Sequence, residues 1–185
     1  SPHLEIFRKK GIEVLLMGER IDEWLTSHLT EFSEKQFVSI AKANLDLGDL
    51  EDEESKKAKE EAEKEVEGLL ERAKTALGDK VGEVKFTHRL TDSPACIVAD
   101  DNGMTTQMMK LMQAAGQTVP DVKYHLELNP EHALVKMLAD TQDEALFNEW
   151  VGVLFDQAAL SEQGSLKDPS TFVQNLNSLL MKLAK

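Results

Sequence analysis

Two apolar stripes between residues 144 and 183 constrain this chain more than any other feature. Phe147, Val151, Leu154 and Ala158 recur at steps of four, three and four. After a break over 164–169 the same steps run through Phe172, Leu176, Leu179 and Leu183. The spacing averages about 3.5 residues per turn, the period of helices that pack along a shared seam. Leu146, Trp150, Val153 and Leu160 widen the first stripe, and Val173 and Leu180 widen the second. One amphipathic helix needs one stripe to dock on its own domain. These two carry apolar surface enough to cover each other and something more. A second copy of the chain would complete a four-helix bundle around a two-fold axis. The alternative is that both helices cap their own domain, and periodicity alone leaves the two open.

Bulk properties narrow what such a chain can do. Its 185 residues suffice for one domain or two small ones, with 41% hydrophobic and 30% charged residues. No apolar run reaches the ~18 residues of a membrane span. The net charge of −13 disfavours nucleic acid and anionic lipid, both polyanionic. The largest basic cluster is Arg8-Lys9-Lys10. Cys96 is the single cysteine, which fits a reducing compartment. The start, Ser1-Pro2-His3, has neither an initiator Met nor a signal-peptide pattern and reads as a cut inside a larger protein.

In chain order, 2–10 reads as a short helix stopped by Gly11. IEVLLM at 12–17 reads as a buried strand, 20–29 as a helix, and QFVSIA at 36–41 as a second strand. This small α/β unit is too small to bury a full core alone and is expected to pack on residues preceding Ser1. From 49 to 71 eleven acidic residues and four lysines give a net charge of −7. The pairs Lys57/Glu61, Glu60/Lys64 and Glu61/Lys64 support helix there. Val66, Leu69, Leu70, Ala73 and Leu77 add an apolar face, so one long helix is expected, ending at Gly78. The segments 84–90 and 95–99 read as strands joined as a hairpin by the turn Thr91-Asp92-Ser93-Pro94, and 122–128 as a third strand. Between them 104–115 reads as a helix, with capping residues at 100–103. Asn129-Pro130 marks another helix start, with Val135, Leu138 and Ala139 on its apolar face. The fold class is α+β: a small α/β unit, a linking helix, then a mixed three-strand and helix domain ending in the helix pair.

The helix at 104–115 is the most unusual segment for function. Met104, Met108, Met109 and Met112 are four of seven methionines, and 104, 108, 111, 112 and 115 share one stripe. Methionine is flexible and polarizable, so such a face adapts to partners of different shape, although core packing is the commoner use. The histidines His88, His125 and His132 lack metal-ligand spacing, and no phosphate-binding Gly loop appears. A Ser93, His88, Asp92 set has no nucleophile motif behind it, yet it keeps a small acid–base hydrolase or transferase as the rival reading.

Four stretches carry a resemblance. SPHLEIFRKKGIEVLLMGERIDEW at 1–24, HRLTDSPACIV at 88–98, YHLELNPEH at 124–132 and ALSEQGSLKDP at 159–169 resemble the ninety-kilodalton heat-shock chaperone family in its bacterial form. The likeness covers nearly the whole chain, with 46–65 the part that matches least. It implies that 1–48 is the end of a middle domain, 49–78 an acidic linker and connecting helix, and 79–185 a C-terminal dimerisation domain. By the same resemblance ATP and magnesium belong to a domain before Ser1, so no catalytic, cofactor or metal residue is expected here. It implies a homodimer interface of Phe147, Trp150, Val151, Leu154, Ala158, Phe172, Leu176, Leu179, Leu180 and Leu183. It also implies a surface for partly unfolded client proteins at Trp24, Met104, Met108, Leu111 and Met112. The chain ends Leu-Met-Lys-Leu-Ala-Lys, without the acidic tail by which eukaryotic members recruit helical-repeat co-chaperones. A bacterial cytoplasmic protein is the implied setting, and a purely structural dimer adaptor is the alternative.

Overall fold

A computed structural model of the chain describes residues 1–42, 53–100, 104, 106–118 and 122–184. The first expected helix begins as a 3-10 turn over Pro2–Leu4 and continues as α1 (Glu5–Lys10), closed by Gly11. The strand expected at 12–17 is not formed: the segment is irregular, and Leu15 and Leu16 are 68% and 79% exposed. A strand needs a neighbour to take its backbone hydrogen bonds, and none among the described residues pairs with this one. The helix α2 (Asp22–His28) follows as expected. The strand expected at 36–41 shrinks to the end of a two-residue hairpin, β1 (Glu31–Phe32) with β2 (Lys35–Gln36). Beyond it the chain makes only an isolated bridge from Lys42 to Ala99. No residue from 8 to 42 is buried, so this stretch has no core of its own.

The expected linking helix is two helices, α3 (Glu53–Glu65) and α4 (Leu69–Leu77). The break is Gly68, whose φ of 82° lies in the left-handed region where a side chain is strained. The turn rotates the second helix so that Leu69, Ala73 and Leu77 are all buried, beside Val66.

The expected hairpin is also overturned. β3 (Val81–Phe86) and β4 (Ala95–Ala99) do not pair; β5 (Tyr124–Leu128) lies between them, parallel to β3 and antiparallel to β4. Eight residues separate β3 from β4, longer than the roughly two to five that make a hairpin turn. As a central strand β5 is covered on both faces, and its residues alternate between two environments. Tyr124, Leu126 and Leu128 join Ala95, Ile97 and Ala99 in the main core with α4 and α7 (Glu144–Gln163). Glu127 lies on the opposite face with Cys96, its partner across the strands, and with the small cluster of Leu90, Cys96 and Val98. Gly82 serves the packing of β5: a Cβ there would sit 3.0 Å from the His125 ring.

The helix expected from Asn129-Pro130 starts at Ala133 instead, as α6 (Ala133–Asp140), with the His132 ring accepting from the Leu134 N–H. Asn129 is otherwise engaged. Its N–H donates to Pro94 O, its side-chain amide to Ser93 O, and its Oδ1 accepts from Glu131 N–H. Val135 and Leu138 are buried and Ala139 packs beside them, as the periodicity predicts. The final helices are α7 and α8 (Pro169–Leu183). Asp143 and Asp168 cap them through N–H bonds of 2.9–3.1 Å. The architecture is α+β, and no helix among the described residues is long and apolar enough to cross a membrane.

Asp156 on α7 is poorly placed for an anion. Burial pushes its carboxyl pKa up, Lys80 partly opposes this, and Asp168 adds to the rise. A carboxyl raised in the folded state contributes most below its unfolded pKa, and that contribution is lost as pH rises through the folded value. Asp156→Asn is therefore expected to raise the melting temperature at neutral pH. The gain should vanish below about pH 4, where the unfolded Asp is protonated too. Paired thermal melts at the two pH values check this.

Candidate partner-binding surfaces

Large apolar side chains exposed among the described residues fall into two groups. Nine lie between Leu15 and Val38, and five lie on α7 and α8: Leu160, Val173, Leu180, Met181 and Leu183. Exposed apolar patches on this scale mark interaction sites.

The second group follows from how α8 divides its stripe. At ~100° per residue, Leu179, Phe172, Leu183, Leu176, Leu180 and Val173 spread over an arc of about 120°. One edge faces α7, where Leu179 is buried and Phe172 and Leu176 are partly covered. The other edge is open, with Leu180 54% and Val173 51% exposed, and Leu183, in the last turn of the helix, is 66% exposed. Glu149 fixes the helix pair, accepting from Lys182 Nζ at 2.8 and 2.9 Å and from Ser178 Oγ at 3.2 Å. The α7 half of the expected seam faces inward: Phe147, Val151, Leu154 and Ala158 are all in the core of their own domain. The Phe147 ring also carries the Arg72 guanidinium 3.9 Å above it. Trp150 turns toward α6, in a shallow recess with Leu134, Met137 and Val153.

The first group is an arm, residues 11–39, and the chain on both sides of it is bonded to residues 89–93. At its start the Glu5 carboxylate is chelated. Glu5 Oε2 accepts the N–H groups of Thr91, Asp92 and Ser93 at 2.7, 2.9 and 3.1 Å, and Oε1 accepts the Ser93 hydroxyl. The Ile6 N–H donates to Arg89 O, and His3 Nε2 lies 3.1 Å from Glu162 of α7. Burial alone would raise the Glu5 pKa, but the Ser93 hydroxyl and the three N–H bonds outweigh it and hold the carboxyl below its ordinary range. Stability from a depressed carboxyl is present above its unfolded pKa and is lost as pH falls through the folded value.

At the other end of the arm, Arg89 donates to Ile40 O at 2.8 Å and to Lys42 O at 2.9 Å. Its Nε lies 2.8 Å from Glu127 Oε2, with both side chains almost fully buried, and Lys85 stands 3.9 Å from the other oxygen. Burial, then the adjacent Glu127, push the Cys96 thiol pKa far up, so it stays an unreactive thiol. On the arm, Trp24 is 59% exposed. Its ring lies against His28 at 4.6 Å between centroids, and His28 Nδ1 is 2.8 Å from Trp24 O.

The methionine helix is α5 (Thr106–Ala114). Met104, Met108, Leu111 and Met112 are partly buried, and the capping residues expected at 101–103 lie outside the described residues. Met109, off the expected stripe, packs against the main core. The Ser93, His88, Asp92 set does not assemble: the Ser93 hydroxyl is given to Glu5, and His88 Nε2 lies 3.1 Å from Glu63. Among the described residues no group of three or more His, Cys, Asp or Glu is arranged to hold a metal ion.

The family described as Hsp90 protein matches residues 1–185. The chain belongs to the Hsp90 family. It is 65% identical over all 185 residues to Chaperone protein HtpG of Pseudoalteromonas translucida (strain TAC 125), and spans 29% of that protein. To Chaperone protein HtpG of Colwellia psychrerythraea (strain 34H / ATCC BAA-681) it is 60% identical over 185 residues, 28% of the relative. To that of Shewanella pealeana (strain ATCC 700345 / ANG-SQ1) it is 58% identical over 185 residues, 29% of the relative. The chain thus spans less than a third of the curated Hsp90-family proteins it matches. Within this Hsp90-family chain, sequence reasoning missed the Glu5 chelate and the buried Arg89–Glu127 pair. The only local signal was a polar Thr-Asp-Ser-Pro turn of the kind that presents backbone N–H groups.

Proposed function

We propose that this chain is the homodimerisation and client-contact part of an ATP-dependent chaperone that binds partly unfolded proteins. The observation that carries the reading is the separation of exposed apolar side chains into an α8 edge and an arm bearing Trp24. The exposed Val173, Leu180 and Leu183 of α8 meet the same face of a second copy and complete a four-helix bundle. Dimerisation ties two chaperone arms together at one end and raises the effective concentration of their other domains. The role is physical and not covalent, and this part of the protein is no enzyme. Residues 1–48 belong to the end of the middle domain, 49–78 link, and 79–185 are the dimerisation domain. ATP and magnesium act in a domain outside the chain. Partners are a second copy and unfolded clients, in the cytoplasm of a bacterium. Nucleic acid and membrane are not among them.

For clients, Trp24 and the α5 face of Met104, Met108, Leu111 and Met112 supply adaptable apolar contacts. Met108→Asp with Met112→Asp is expected to leave the dimer intact and to weaken binding of an unfolded model client. Loss of two anchors at ~1–2 kcal/mol each corresponds to roughly 30–700-fold in Kd. Fluorescence anisotropy with a labelled client and an aggregation-suppression assay read this. Unchanged suppression by a folded variant would leave a structural dimer adaptor as the better reading.

A further inference from the structure

The methionines of the chain divide by what holds them. Among the described residues, Met109 and Met137 pack against the main core. Met108 and Met112 lie on α5 with Leu111 between them, partly exposed and outside that core. Side chains four residues apart on a helix are neighbours on one face, so the two thioethers share a surface that water reaches. No thiol competes with them for an oxidant. Cys96 is the single cysteine, and it is buried in the sheet. A thioether, unlike a thiol, needs no deprotonation before its sulfur can react.

We propose that Met108 and Met112 form a hydroperoxide-sensitive modification site whose oxidation switches off the client contact of α5, a role that rests on the client reading given above. Each sulfur gives two electrons to the peroxide and takes one of its oxygens. The O–O bond breaks, the other oxygen leaves as water, and the thioether becomes a sulfoxide. A methionine sulfoxide reductase reverses the step with two thiols, which leave as a disulfide while the oxygen leaves as water. A sulfoxide is polar and accepts hydrogen bonds, so an apolar partner cannot cover it without burying an unpaired acceptor. Met109 holds the same helix from its core side. Oxidation of the two partly exposed sulfurs therefore changes the contact face and leaves the fold in place.

The test treats the 185-residue chain with hydrogen peroxide and removes the excess with catalase. Fluorescence anisotropy then reads its binding of labelled α-lactalbumin that has been reduced and carboxymethylated, a permanently unfolded probe. Peptide mass mapping follows each methionine. Met108 and Met112 are expected to gain oxygen ahead of Met109 and Met137. Probe affinity is expected to fall on the order of 10–100-fold, with the circular dichroism unchanged. Methionine sulfoxide reductase with dithiothreitol is expected to restore it. Met108→Leu with Met112→Leu keeps the other methionines, including Met181, which is 66% exposed on α8. The affinity of this variant, whatever its starting value, is expected to be the same before and after peroxide. An equal fall in the variant and the parent chain overturns the site. So does full oxidation at 108 and 112 with unchanged affinity, or oxidation of Met109 before them. An untreated chain that binds no probe overturns the client reading itself, and the switch falls with it.

Discussion

Leu180→Asp with Leu183→Asp is expected to convert a dimer into folded monomers at micromolar concentration. Both side chains are exposed in the single chain, so the charges cost little there. In a two-fold bundle the pair is buried twice. Each buried leucine contributes roughly 1.5–3 kcal/mol, so removing four forfeits about 6–12 kcal/mol before any penalty for burying carboxylates. A loss of half that, about 3–6 kcal/mol, raises Kd by roughly a hundredfold to ten-thousandfold. Sedimentation equilibrium reads the change as a fall from twice 20.7 kDa to that mass. Leu154→Asp is the informative contrast. Leu154 is packed in the core of its own domain, so this variant is expected to unfold, not to dissociate. A Leu180→Asp, Leu183→Asp variant that stays wholly dimeric would move the interface off α8.

Arg89→Ala is expected to be the most costly single substitution for stability. It leaves Glu127 charged and almost fully buried, with only Lys85 at 3.9 Å on one oxygen, and frees the carbonyls of Ile40 and Lys42. Breaking a buried pair from one side costs about 3–5 kcal/mol, equivalent to roughly 6–20 °C in melting temperature for a chain of this length. Arg89→Met combined with Glu127→Leu removes both charges and is expected to recover most of the loss. Urea unfolding of the three variants reads this. If Arg89→Ala alone costs under about 1 kcal/mol, the pair is not desolvated as its burial implies.

What was legible in the sequence and what was not divides by range. Helix ends written in local residues were readable: Gly11, Gly78 and the break over 164–169 act within a few positions of where they stand. Gly68 was readable in principle, but the charge pairs at 57–64 and the apolar face from Val66 to Leu77 pointed to one continuous helix. The order of the sheet was not readable, because β3 and β4 are neighbours in sequence while β5 is the better partner for both. The Glu5 chelate joins groups 86–88 residues apart and leaves no periodic trace. For the candidate surfaces, the 3.5-residue spacing predicted both terminal helices but not which edge of each stripe their own domain would use. Phe147, Val151, Leu154 and Ala158 face inward and Leu183 outward, although all five fit the same pattern, and Leu180, which widens it, is exposed as well.

The middle position of β5 has a consequence for how the chain is made. β3 and β4 are both complete by residue 99, yet neither has a strand beside it until residues 124–128 arrive. On the ribosome both therefore wait as unpaired edges, and the sheet closes only after the third strand threads between two that are already synthesised. Such non-local pairing slows folding and leaves apolar strands open to other chains meanwhile. A chain proposed to contact unfolded proteins thus passes, during its own synthesis, through the kind of state it would recognise.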